Sequence, residues 1–287
     1  MAVLEETKIA SYLDWAQRKL AAVASPRLDA EVLMAQSLDI SRTELMTYPD
    51  RILNRAEVEI FCSNIERRVL REPVSHITGT QEFWSLEFAV NKKVLTPRPE
   101  TEILVEQCLQ ALAKESSPVK ILDLGTGSGV LAITLAKEIP QSRVTAIEKS
   151  TEALAVARKN ARHHAVADRV HFVNGDMEKL DWQGPYHLIV SNPPYIESGN
   201  MPNCMPEVRQ YEPVEALDGG GDGLDYYRFI VPMALKKLKE NGWLALEIGH
   251  TQAAAVGALM ENGYQNIQVI QDYSGYDRVV LARVMNG

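Results

Sequence analysis

The sequence predicts an α/β protein: a mostly parallel sheet of seven strands with an antiparallel edge, preceded by a small helical domain. Three observations carry this. From Val119 onward, short apolar strands alternate with helices, as in a parallel sheet covered by helices. The chain closes on two consecutive strands, which suits an antiparallel edge. Residues 1–72 have helical periodicity alone.

In that first stretch, Ile9, Tyr12, Leu13, Ala16 and Leu20 follow the spacing of a buried helix stripe, and Ser25-Pro26 ends it. A second periodic segment covers Leu28–Leu38. Ser41-Arg42-Thr43-Glu44 and Asn54-Arg55-Ala56-Glu57 are capping signals that open two more helices. The last of these is expected to end near Arg71-Glu72, because Pro73 disfavours helix at its predecessor. Residues 73–97 change character: Phe83–Val90 alternates and is rich in aromatics, which predicts a hairpin bridging two domains. A helix then runs from Pro99, near its first turn, to about Lys114. The expected strands are Val119–Asp123, Arg143–Ile147, Val170–Val173, Tyr186–Ser191, Trp243–Ile248, Ile267–Gln271 and Arg278–Val284. Helices are expected at Val130–Glu138, Thr151–Arg162, Asp225–Leu238 and Thr251–Asn262. The expected organisation is 1–72 helical, 73–97 linking hairpin, and 98–287 α/β.

Composition narrows the function. Over 287 residues, Lys+Arg is 30 and Asp+Glu 38, a net charge of −8. Neither the helical part nor the remainder has a basic excess, which argues against a protein that holds nucleic acid through its phosphates. Cys62, Cys108 and Cys204 are odd in number and far apart, with no zinc spacing, so no metal is expected and a reduced compartment suits them. The polar start MAVLEETKIA and the absence of a long apolar run predict neither a leader nor a membrane span, hence a cytoplasmic chain.

Two motifs carry chemistry. Asp123-Leu124-Gly125-Thr126-Gly127-Ser128-Gly129 ends the first α/β strand and opens a helix. Glycines allow a tight turn and close approach of a ligand to the backbone, and the helix start offers unpaired N–H groups. Nineteen residues after Gly129, Glu148 ends the next strand, where a carboxylate can accept both hydroxyls of a ribose. Gly127-x-Gly129-x-x-Ala132 also satisfies the dinucleotide fingerprint, although the acid within the strand end more closely resembles an S-adenosylmethionine loop. A glycine turn without a ligand is the plain alternative.

The second motif is Asn192-Pro193-Pro194-Tyr195, at the C-terminal end of a buried strand, the edge where open α/β sheets bind ligands. Two prolines hold a rigid turn whose carbonyls face outward. Asn192 adds a side-chain acceptor and Tyr195 a flat face. This set suits a planar –NH2 group: two acceptors for two hydrogens and a ring for the plane. Acceptors there stabilise positive charge developing on nitrogen. The plain alternative is a structural Pro-Pro turn.

Taken together, these motifs resemble those of the HemK/PrmC family. The resemblance covers nearly the whole chain. It includes the helical start, Glu72–Gly79, Glu82-Phe83, Val94–Glu102 with its Pro97-Arg98-Pro99-Glu100-Thr101, the glycine loop and Asn192–Tyr195. It continues through Glu212-Pro213, Ala216-Leu217, Gly220–Leu224 and Leu246–His250. The family implies a Rossmann-like methyltransferase sheet and S-adenosyl-L-methionine as cofactor. It implies that the substrate is the glutamine of the Gly-Gly-Gln motif in peptide-chain release factors. By the same resemblance, Gly125, Thr126, Gly127, Ser128 and Gly129 surround the methionine part of the cofactor. Glu148 takes the ribose, where many relatives use Asp, and Asp176 and Met177 lie on the adenine side. Asn192 and the Pro193 carbonyl hold the substrate amide, with Pro194 and Tyr195 beside it, and Asn192 also borders the cofactor. The chain departs from the family pattern at His76, Thr96 and Met177, none of them in the Asn-Pro-Pro-Tyr turn.

Around these motifs, Arg98, Glu100, Glu247 and His250 are further candidates for the pocket. Arg209 and Asp218–Asp225 fall in a connection long enough for a lid or a substrate-gripping segment, with a flexible surface turn at Gly219–Gly221 as the plain alternative. Residues 1–72 are expected to recognise the protein substrate. An N6-adenine methyltransferase is the alternative, since that amine is also planar; it normally needs a flipped base and a basic groove. A nicotinamide-dependent oxidoreductase leaves Asn192–Tyr195 unexplained, and a non-catalytic adaptor leaves its intact set of groups without a use.

Overall fold

A computed structural model describes residues 7–115 and 118–285. The first six residues of the stretch read for a leader, with which the first expected domain begins, and the last two residues of the final expected domain lie outside it. The helices are α1 (Ile9–Lys19), α2 (Pro26–Leu38), α3 (Arg42–Thr47), α4 (Arg55–Val69), α5 (Val74–Thr78), α6 (Thr101–Leu112), α7 (Val130–Glu138), α8 (Thr151–His163), α9 (Pro206–Tyr211), α10 (Asp225–Lys237) and α11 (Ala253–Met260). The strands are β1 (Thr80–Phe83), β2 (Leu86–Ala89), β3 (Lys120–Leu124), β4 (Arg143–Glu148), β5 (Val170–Asn174), β6 (Tyr186–Ser191), β7 (Leu238–Glu247), β8 (Tyr264–Gln271) and β9 (Asp277–Val284). No described helix is long and apolar enough to cross a membrane.

The chain divides into two compact units. One is the chain up to Thr80 together with Met205–Tyr211; the other is Gln81–Cys204 together with the chain from Glu212 onward.

In the helical unit, the α1 stripe Ile9, Tyr12, Leu13, Ala16 and Leu20 is buried against Leu33, Met34 and Phe61. Both capping boxes form: Ser41 with Glu44 and Asn54 with Glu57 exchange side-chain and backbone bonds at the starts of α3 and α4. Two features differ from the sequence expectation. Helix α5 occupies part of the stretch read as a bridge, because Pro73 presets the entry and Gly79, at φ +80°, supplies the left-handed exit. The segment Met205–Tyr211, expected within the α/β domain, belongs to the helical unit. Its Glu207 lies 3.1 Å from the buried Arg68 and 2.7 Å from Arg71, while Asp29 approaches Arg68 at 2.7 Å. A buried guanidinium needs such partners.

The second unit begins with the hairpin β1–β2. Its two-residue turn, Trp84-Ser85, has both φ values positive, the turn that matches strand twist. Carboxylates hold its amides: Trp84 N donates to Glu102 Oε1 at 2.7 Å and Ser85 N to Glu82 Oε1 at 2.6 Å. Phe83 and Phe88, buried edge-to-face at 6.2 Å, join the core under the main sheet. The hairpin is therefore packed into this unit rather than strung between two.

The main sheet has the order β5-β4-β3-β6-β7-β9-β8. Strands β3 to β7 run parallel, and β9 and β8 add the expected antiparallel edge. Alternation assigns each strand's residues to two layers. Ile121, Leu188, Val190 and Ala245 face α6, α7 and α8; Leu122, Ile189, Leu244 and Leu246 face α10 and α11. Strand β7 starts at Leu238 rather than Trp243, since α10 runs straight into it.

Candidate active site

Strand register builds the site. Leu124 pairs with Ile147 on one side and Ser191 on the other, Ser191 pairs with Leu246, and Glu148 pairs with Asn174. The residues that end these strands or step off them (Gly125, Glu148, Gly175, Asn192 and Glu247) therefore form a row along one edge. Chain order reverses between β3 and β6, the switch point where such sheets bind ligands.

The glycine loop is fixed from beneath. Thr126 Oγ1 donates to Asp123 Oδ2 at 2.5 Å, and Ala132 N donates to the same oxygen at 3.2 Å. Burial pushes Asp123 up to about 7; its two hydrogen bonds oppose this and the charge of Glu148 adds to it. Asn160 of α8 donates to Ser128 O at 2.8 Å and exchanges two bonds with the Ala89 backbone, clasping loop to hairpin. Thr126 and Ser128 are thus buried, while Gly125 and Gly127 stay part-exposed. At Gly127, φ +56°, an added Cβ would meet nothing within 4 Å.

Glu148 borders that open space. Its Oε2 accepts from Gly127 N and its Oε1 from Ser150 N, each at 2.9 Å. A carboxylate has about four lone-pair sites, so each oxygen keeps capacity for a hydroxyl. Open space before a glycine, with this carboxylate beside it, fits a ribose-bearing cofactor. Met177 is buried, with its Cε 3.5 Å from where a Cβ on Gly125 would be. Asp176 accepts from Glu178 N at 3.1 Å and faces Lys149 at 3.2 Å. Burial pushes its carboxyl up, but the hydrogen bonds and lysine charges prevail and hold it below the ordinary range.

The Asn192–Tyr195 turn is locked on both flanks. Ser191 Oγ donates to Leu124 O at 2.7 Å. Gln252, which the sequence did not single out, donates to Tyr195 O at 3.0 Å and to Gly223 O at 3.1 Å, while accepting from Gly249 N. Gly219 packs so closely on this turn that an added Cβ would lie 2.8 Å from Pro194 O. Ile196 N donates to Leu217 O, and Gly219 N to Ile196 O. The Asp218–Asp225 segment, expected as a lid or a substrate-gripping segment, is docked onto the turn through Gly219 and Gly223. Burial, then the charge of Glu247, pushes the Tyr195 phenol up to about 12. It stays protonated at neutral pH.

Behind Asn192 is a polar chain. Asn192 Nδ2 donates to Thr101 Oγ1 at 3.4 Å, and Thr101 Oγ1 donates to Glu247 Oε2 at 2.7 Å. Arg98 instead pairs with the buried Glu212 at 2.6 Å. Glu100 is exposed, and the His250 ring stacks edge-on against Tyr276. Arg209 lies in α9, in the helical unit. Among the described residues, no group of three or more His, Cys, Asp or Glu side chains could hold a metal ion.

Glu247 is 1% exposed, and burial pushes its carboxyl up to about 7 against the pull of Thr101, Arg278 and Arg98. Its folded value lies above the unfolded one, so its stabilisation is complete at low pH and is lost as pH rises towards 7. Glu247→Gln is therefore expected to unfold at the same temperature as wild type at pH 4. At pH 8 it should be more stable by about 1–3 kcal/mol. Thermal unfolding at both pH values checks this; a variant less stable at pH 8 would contradict it.

Known proteins share both parts of the chain. Residues 11–79 match the PrmC N-terminal domain and residues 100–210 the methyltransferase small domain. The release factor glutamine methyltransferase of Geobacter sulfurreducens is 41% identical over 279 residues, covering 96% of each chain. That of Caulobacter vibrioides is 42% identical over 264 residues, covering 92% of this chain and 91% of its own. A crystal structure of a methyltransferase from Pyrococcus furiosus matches the fold, with a TM-score of 0.54 and 19% identity over 78% of this chain and 100% of that one.

Proposed function

The chain belongs to the release factor glutamine methyltransferase family, and from that premise we propose that it methylates the side-chain amide nitrogen, N5, of the glutamine in the Gly-Gly-Gln motif of peptide-chain release factors. The observation that carries this reading is the register that brings Glu148, the glycine loop and the Asn192 turn to one sheet edge. S-adenosyl-L-methionine, the cofactor, supplies an electrophilic methyl group.

Each residue has a role in that reaction. Glu148 accepts the ribose hydroxyls, and the Gly125–Gly129 backbone lies along the methionine part. Asp176 and Met177 border the adenine side, where the thioether packs by polarizable contact. Asn192 Oδ1 and the Pro193 carbonyl accept the two amide hydrogens, and Pro194 and Tyr195 hold the amide plane. An amide nitrogen is a poor nucleophile because its lone pair is delocalised, the resonance behind the rotation barrier of ~18–20 kcal/mol. The two acceptors stabilise charge as nitrogen bonds to carbon, and fixing the nitrogen in line removes entropic cost. The nitrogen would gain the methyl as the bond between that methyl and the cofactor's sulfur breaks, the electron pair returning to sulfur as a neutral thioether, and the cationic nitrogen would then release a proton to water. Tyr195, protonated until about pH 12, is a platform and not the base.

The helical unit reads the protein substrate. It exposes Met46, Tyr48 and Ile52, three large apolar residues close in sequence, and exposed apolar clusters mark interaction surfaces. Replacing Tyr48 and Ile52 together by serine is expected to raise KM for a whole release factor several-fold and leave cofactor affinity unchanged. Unchanged KM would remove this surface from recognition. The setting is the cytoplasm, where release factors meet ribosomes.

The test of the reaction is methyl transfer to a purified release factor, read by intact and peptide mass, beside the same factor with its Gly-Gly-Gln glutamine replaced. One methyl on that glutamine, absent from the replacement, is expected. Transfer to a nucleic-acid amine instead would overturn the reading.

A further inference from the structure

We propose that Thr101 and Glu247 are positioning residues that fix which face of the Asn192 carboxamide meets the substrate. This rests on the methyl-transfer reading above and adds a device behind the acceptor.

A hydroxyl has one hydrogen and two lone pairs. The single hydrogen of Thr101 goes to Glu247 Oε2 at 2.7 Å, so towards Asn192 its oxygen can only accept. Asn192 must then offer Nδ2, which it does at 3.4 Å. That orientation leaves Oδ1 as the acceptor for the substrate N–H. Were Thr101 to turn its hydrogen towards Asn192, the carboxamide would be drawn the other way and present two hydrogens to an amide that also carries two. The direction of the chain thus decides whether the site accepts or repels its substrate.

The sheet and α6 assemble this chain from distant parts of the sequence. Leu246 pairs with Ser191, so Glu247 and Asn192 leave adjacent strands side by side, and Thr101 opens α6. Tyr227 of α10 donates to the Glu247 carbonyl at 2.9 Å and anchors the strand end. The charged and titratable groups around the carboxylate are Arg98 and Glu100 before α6, Tyr195 after β6, Tyr227 in α10 and Arg278 in β9. Burial holds Glu247 near 7. Once protonated, it donates to Thr101 instead of accepting, and the chain can reverse. A buried carboxylate that lowers stability when ionised suits a functional task better than a packing one.

The test uses the full chain with a whole release factor and three variants: Thr101→Val, Thr101→Ser and Glu247→Gln. Thr101→Val keeps the shape and removes the hydroxyl. Its kcat is expected to fall at least about tenfold, with KM for the factor and cofactor affinity within about twofold of wild type. Thr101→Ser, which keeps the hydroxyl, is expected to restore kcat to within about threefold. In Glu247→Gln the side chain at this position no longer titrates, so the acid limb near 7 in the wild-type kcat profile is expected to disappear. Thr101→Val at wild-type kcat, Thr101→Ser as slow as Thr101→Val, or an acid limb unchanged in Glu247→Gln would each overturn the proposal. Wild type that leaves the Gly-Gly-Gln glutamine unmodified would instead overturn the functional reading, and the proposal with it.

Discussion

Asn192→Ala is expected to lower turnover on a release factor by about 10²–10³-fold, the loss typical of removing one preorganised group at a developing charge. Cofactor affinity should change little, because Glu148 and the loop backbone remain. The loss is finite for a structural reason. In the proposed reaction the second acceptor is the Pro193 carbonyl, which no side-chain substitution removes, and the turn stays fixed by Ser191 and Gln252. Turnover measured at saturating cofactor, with cofactor binding by calorimetry, checks both halves. Near-normal turnover would end the assignment of Asn192 as an acceptor.

The second large effect separates two glycines of one loop. Gly129 has φ +89°, and an added Cβ would lie 2.8 Å from Ile133 Cδ1 and 3.2 Å from Ala157 Cβ. Backbone strain of about 1–2 kcal/mol and overpacking of about 1–3 kcal/mol act together. Gly129→Ala should therefore destabilise the fold by about 2–4 kcal/mol. Gly127 has φ +56° and open space in front of it. Gly127→Ala should cost about 1 kcal/mol of stability but weaken cofactor binding at least about tenfold, because its methyl would enter the open space that the proposed function assigns to the cofactor. Thermal unfolding and calorimetry on both variants distinguish the cases. Equal destabilisation, with cofactor affinity retained in Gly127→Ala, would remove the loop from the cofactor site.

What the sequence reveals follows the range of the interactions. Both capping boxes form where Ser41-x-x-Glu44 and Asn54-x-x-Glu57 predict them, since each closes within four residues. Five parallel strands and an antiparallel edge follow from alternating patterns. The glycine loop and the Asn-Pro-Pro-Tyr turn are legible because each is one contiguous motif. The chain from Asn192 through Thr101 to Glu247 is not, because Thr101 and Glu247 are 146 residues apart and meet only where the start of α6 reaches the end of β7. Glu247 stands out in the sequence only as one candidate beside His250, and the structure separates the two. Asn160 and Gln252 give no local signal, as an amide in a helix or before one has many ordinary uses. Their value comes from the backbone groups they reach, Ala89 and Ser128 in one case, Tyr195 and Gly223 in the other. The docking of Asp218–Asp225 on the turn is hidden for the same reason: Gly219 and Gly223 look like flexibility until their close neighbours are known.

The segment Met205–Tyr211 also has a bearing on biosynthesis. Arg71 and its partner Glu207 are 136 residues apart, and Arg68 shares that glutamate. During translation the first helices emerge from the ribosome long before Glu207 exists. Until then, two guanidinium groups of the helical unit lack the carboxylate that serves them in the finished protein. Domains generally fold as units, N-terminal first, during synthesis. Here the first unit acquires its final ion pairs only after much of the second has been made. A nascent chain halted before residue 205 should accordingly be cut by protease within α4 more readily than one released at full length. The maturation of the two units is thereby coupled in time.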